Sequence, residues 1–95
     1  MMYPYISEEE RKKAIQYLVE TVPRETLLQI YEEILREPDW LIMQHFGMGV
    51  EIRNLLRAKG FAWDDTDMDH AWEPITLEAV RKVYGEVRYA LFSET

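Results

Sequence analysis

Ninety-five residues, 47% of them apolar, suffice for one domain spanning residues 1–95 with a real core, so neither metal nor disulfide staples are required. The absence of cysteine excludes a disulfide framework, a thiolate nucleophile and a cysteine zinc site. A formal net charge of -7 disfavours nucleic acid as a partner, and no apolar run reaches the roughly 18–20 residues of a membrane span.

The chain opens on an apolar, aromatic lead-in, Met1 to Ile6. Acids precede bases in MMYPYISEEERKK and no apolar h-region follows, so the expectation is a soluble cytoplasmic protein without a signal peptide. Ser7 and Glu10 have the spacing of a capping box, and the first helix is expected over Glu8–Val22, with Ile15, Leu18, Val19 and Val22 on one face. Pro23 ends it and opens a second helix over Arg24–Arg36. There Leu27, Leu28, Tyr31, Ile34 and Leu35 make a wide apolar stripe, and Glu25, Gln29, Glu32 and Glu33 face water.

Pro38 breaks the second helix and Asp39 is placed to cap a third, expected over Trp40–Lys59. Gly47 and Gly49 fall inside it. Each costs about 1 kcal/mol against alanine in a helix interior, so the pair implies a kink or a close approach to the backbone. Gly60 fits a C-cap. The stretch FAWDDTDMDH reads as a loop, with Thr66 and Asp69 as a weak capping box for a short helix near Asp67. Pro74 then starts or kinks a last helix reaching about Phe92. No stretch alternates at period two, and no sheet is expected. The fold class is therefore all-α, an orthogonal bundle of four or five helices with the third helix central. Its expected core comprises Ile15, Leu18, Leu28, Tyr31, Leu35, Trp40, Met43, Phe46, Val50, Leu55, Val80, Tyr84 and Val87.

Two constellations could carry chemistry. On a continuous third helix, His45, Gly49 and Arg53 stack four apart, with Gly47 and Asn54 on the adjacent stripe. A dent at Gly49 between an imidazole and a guanidinium could receive a carboxylate or phosphate. A break at Gly47 would instead turn free N–H groups of a new first turn toward the same spot. The plainer reading is structural: the glycines let a neighbour come close, here under a tryptophan, and Arg53 and Asn54 hold the Asp-rich loop. The second constellation is that loop. Asp65, Asp67 and Asp69 have the 1, 3, 5 spacing of an EF-hand, but His70 stands where glycine is needed and Thr76 where a bidentate glutamate belongs. The EF-hand is rejected. An irregular cation site at Asp65, Asp67, Asp69 and His70 stays open beside capping and an ion pair from Arg53 to Asp67 or Asp69.

The run His45-Phe46-Gly47-Met48-Gly49 followed by Ile52-Arg53-Asn54 resembles a family of small bacterial helical domains with no assigned activity. That family carries a His-Phe-Gly-Leu/Met-Gly string, an Ile-Arg-Asn string, and a later Asp-Asp-Met segment before a final helix. Asp67-Met68 is similar to that later segment. The resemblance spans roughly residues 40–83 and implies a helical fold in which His45, Gly47, Gly49, Arg53 and Asn54 act as a unit. It implies no reaction.

Three functions follow as expectations. The first is a small acidic interaction module that meets a protein partner or itself, with an exposed aromatic patch around Tyr3, Tyr5, Phe61 and Trp63. The second is a small-molecule or anion-binding domain using His45, Gly49, Arg53 and Asn54. The third is a hydrolase or metal-dependent enzyme drawing on His45, His70 and the aspartates. No hydrolase, metalloprotease or P-loop motif is present, and no cofactor, catalytic residue or resident metal is assigned.

Overall fold

A computed structural model describes residues 6–93, with side chains over 6–84. Five helices follow in order: α1 (Glu8–Thr21), α2 (Arg24–Arg36), α3 (Trp40–Met43), α4 (Met48–Lys59) and α5 (Asp65–Ser93). No strand occurs among the described residues. The molecule is an all-α bundle.

Local signals account for the helix ends. Ser7 Oγ accepts from Glu10 N at 3.0 Å and caps α1. The reciprocal arm of a capping box is diverted, because the Glu10 carboxylate accepts from Trp63 Nε1 at 2.7 Å. Gly60, at φ 113°, closes α4 in a left-handed conformation that a Cβ would disfavour. The start of α5 differs from expectation. Asp64, not Thr66, is the cap: its Oδ1 accepts from Asp67 N at 2.8 Å, so the helix begins at Asp65.

Two larger corrections concern continuity. The helix expected over Trp40–Lys59 is two helices separated by a turn at 44–47. Conversely, one helix runs through Pro74. Proline there removes the bond its N–H would donate to the His70 carbonyl and costs about 3 kcal/mol in a free helix. Burial on both sides of it offsets that cost: Met68, Ala71, Trp72, Ile75, Thr76, Ala79, Val80 and Val83 are all buried. This long helix, packed against α1, α2 and α4, is the central element, in place of the expected third helix.

The core is one cluster in which Ala14, Ile15 and Leu18 of α1, Leu27 and Ile30 of α2, Leu41 of α3, and Ile52 and Leu56 of α4 meet the buried face of α5. Ile15, Leu18 and Val80 lie in it as expected, while Tyr31, Trp40, Leu55 and Tyr84 pack against its edge. Five expected core residues do not: Leu28, Leu35, Met43, Phe46 and Val50 are exposed. On α2 Leu27 and Ile30 are buried and Tyr31 and Ile34 pack against the core, while Leu28 and Leu35 of the expected stripe turn outward. Met43, Phe46 and Val50 were placed by carrying one helical phase across residues 44–47, where the chain is not helical. Val87 lies outside the residues whose side chains are described.

Candidate functional site

The turn between α3 and α4 is built on one carbonyl. Gln44 O accepts from Gly47 N at 3.0 Å and from Gly49 N at 2.8 Å. With Val50 N donating to Gly47 O at 3.1 Å, two N–H groups of α4's first turn are satisfied inside the chain. They do not form the open anion cradle that a break at Gly47 would otherwise supply.

Gly49 is buried because Trp72 lies against it. A Cβ at this position would stand 2.8 Å from Trp72 Cζ2 and 3.0 Å from Gln44 O. The dent read from the sequence is therefore real, and an indole from α5 fills it. Trp72 itself is only 2% exposed.

Arg53, one helical turn further along α4, is 8% exposed and reaches three groups. Its Nη1 lies 3.3 Å from His45 Nδ1, and its Nη2 donates to the His45 carbonyl at 3.2 Å. Its Nε lies 3.6 Å from Asp69 Oδ1. Its Cζ is 5.8 Å from the Trp72 ring centroid, within cation–π range. A guanidinium has only donors, so His45 Nδ1 must be the lone-pair nitrogen. That assigns the neutral ring its proton on Nε2.

The expected Arg53 contact to Asp67 or Asp69 is thus to Asp69. One turn along, Arg57 donates to Asp65 Oδ1 at 3.0 Å. Residues 53 and 57 are four apart on α4, and 65 and 69 are four apart on α5, so the two helices meet as a two-rung ladder of opposite charges. Asp67 lies about 200° around the helix from both of its acidic neighbours and cannot share a ligand with them. Asp64 is occupied as a cap. Among the described residues no group of three or more His, Cys, Asp or Glu is placed to hold a metal ion. The cation reading of Asp65, Asp67, Asp69 and His70 is corrected accordingly: the aspartates sit on a helix and two of them neutralise arginines.

His45, Gly49 and Arg53 are brought together as the sequence implied, with Gly47 in the turn. Asn54 is not. It is exposed and lines a different feature, a groove of about 540 Å³ between α4 and the α1–α2 corner. Val22, Pro23 and Thr26 form one wall of this groove, and Met48, Ile52 and Leu55 the other. The guanidinium expected to attract an anion is already compensated by Asp69, and His45 Nδ1 meets a cation rather than a carboxylate. Neither geometry favours anion capture or acid–base catalysis.

The residue this scaffold displays was missed. Phe46 is 87% exposed. It stands between two residues fixed by their backbones, and its ring meets His45 edge-on at 4.8 Å. Ile42 and Met43, four and three residues earlier, are 57% and 58% exposed. Of the anticipated aromatic patch, Phe61 and Trp63 are half-buried and pack on each other at 5.1 Å, with Phe61 6.5 Å from Tyr17, while Tyr3 and Tyr5 lie outside the described residues. The signal for Phe46 was its position between His45 and Gly47, in a stretch whose two glycines make helix costly.

Fold and site together define an all-α domain whose α3–α4 turn is clamped onto a central helix. No family model, no curated protein and no solved structure matches the chain. Among the described residues no helix is long and apolar enough to cross a membrane.

Proposed function

We propose that this chain is a small acidic interaction module whose contact surface is centred on Phe46. The observation that carries the reading is the exposure of that residue in a turn tied at Gln44, His45 and Gly47. Burying a phenylalanine is worth about 1.5–3 kcal/mol, and this one stands out of the core. Ile42 and Met43 enlarge the surface. A preordered aromatic loses little conformational entropy on contact, which suits it to anchor an interface. On this reading the His45–Arg53–Asp69 set and the Gly49–Trp72 contact position the anchor and touch no ligand.

The same reading makes the partner a protein, or a second copy of the chain, and the setting cytoplasmic. The acidity argues against nucleic acid, because phosphate backbones would be repelled. Site-specific photocrosslinking in cells tests the proposal. A photoreactive phenylalanine analogue at position 46 is expected to give a discrete adduct that the same analogue at Lys12, exposed on α1, does not. Identical patterns from both positions, or no adduct from 46, would refute it.

A further inference from the structure

The groove beside Asn54 is not used by anything derived above. It follows one face of α4 from Met48 to Ala58, about 15 Å at 1.5 Å per residue, and begins at the end of the helix that Phe46 precedes. α4 leans chiefly on α5, which leaves this apolar face open toward the α1–α2 corner.

Charge selects the occupant. Residues 20–51 hold seven carboxylates and two cations, a formal -5 out of the chain's -7. Elsewhere Arg53 and Arg57 are paired with Asp69 and Asp65, Arg11 with Glu8 and Glu78, and Lys13 with Glu9. Within 20–51 the one ion pair among the described residues is Arg36 with Glu33. Glu51 lines the groove, exposed and without an ion pair among the described residues, while in sequence Glu20, Arg24 and Glu25 neighbour the lining residues of the facing wall. An apolar floor with Glu51 in its lining, inside a segment of formal charge -5, matches a helix with an apolar face and flanking lysines or arginines. A second copy would bring the same -5 segment against itself.

We infer that this groove receives a basic amphipathic helix of another protein, whose apolar face lies along α4 and whose cations meet Glu51 and the acids of the α1–α2 corner. The inference rests on the interaction-module reading and names the chemistry of its partner. A designed helical peptide of leucine and lysine, fluorescently labelled, is the probe. Its controls are a same-composition scramble that spreads the leucines around the helix and a glutamate-for-lysine version. Binding is read by anisotropy at two salt concentrations and mapped by amide chemical shifts.

The amphipathic lysine peptide is expected to bind at least tenfold more tightly than either control, more weakly at high salt, with shifts along 48–58. Glu51→Lys and Ala58→Trp alter exposed side chains and should each weaken it at least fivefold. Helical content by circular dichroism checks that both variants fold. Equal binding of the scramble would leave only nonspecific charge and overturn the inference. So would shifts elsewhere, no effect of either variant, or a dimer of the chain that Ala58→Trp dissolves. Crosslinking from position 46 together with failure of the lysine peptide would remove the basic helix while leaving the module reading standing.

Discussion

Gly49→Ala isolates the physical reason for the second glycine. In an open helix the change is stabilising, by up to about 1 kcal/mol, because alanine surrenders less backbone entropy. Here the new Cβ would sit 2.8 Å from Trp72 Cζ2, 3.1 Å from Trp72 Cε2 and 3.0 Å from Gln44 O. None of these can swing aside: the indole is buried and the carbonyl already holds two N–H groups. Forcing a methyl group into such a contact costs about 1–3 kcal/mol. The steric cost outweighs the propensity gain, and the expected net destabilisation is about 1–2 kcal/mol. That is a fall in Tm of roughly 4–15 °C for a domain of this size. Urea denaturation followed by far-ultraviolet circular dichroism measures it without depending on tryptophan fluorescence. Trp72→Phe removes the part of the indole that carries Cζ2, so in that background Gly49→Ala should cost clearly less, with the Gln44 O contact left. The cycle should return a coupling above about 1 kcal/mol. A stabilised Gly49→Ala single variant, or the same loss in both backgrounds, would show that Trp72 is not why the glycine is there.

Three further outcomes follow from the geometry. Arg53→Lys keeps the charge but cannot reach His45 Nδ1, the His45 carbonyl and Asp69 together, and should lose about 1–3 kcal/mol. Arg57→Lys, one turn away on a more exposed rung, should change stability by no more than about 0.5 kcal/mol, and equal losses at both sites would contradict the clamp. Asp64→Ala should cost about 1 kcal/mol by uncapping α5, with Asp64→Asn retaining most of it; chemical denaturation of the pair decides whether the side chain acts as a cap or only as a charge. Phe46→Ser should leave stability within about 0.5 kcal/mol of the parent while abolishing co-purification of the partner trapped by crosslinking, and a loss above about 1 kcal/mol would mean the ring contributes to folding.

The sequence by itself determined the helical class, the spans of α1 and α2, and the Gly60 terminus, because caps, prolines and 3.6-residue periodicity act within a few residues. It also implied the close approach at Gly49 and an ion pair from Arg53 to the aspartates, since both are written as residue types at helical spacing. Tertiary structure decided the rest. Pro74 stays inside a helix because buried neighbours on both sides outweigh a missing hydrogen bond. Phe46 left the expected core because the turn at 44–47 resets the helical phase, and nothing local to residues 40–50 specifies which way the chain leaves it. Asn54 parted from Arg53 because adjacent residues on α4 face different neighbours, α5 on one side and the groove on the other. Local rules set where helices begin and end; which face meets solvent depends on the elements packed around it.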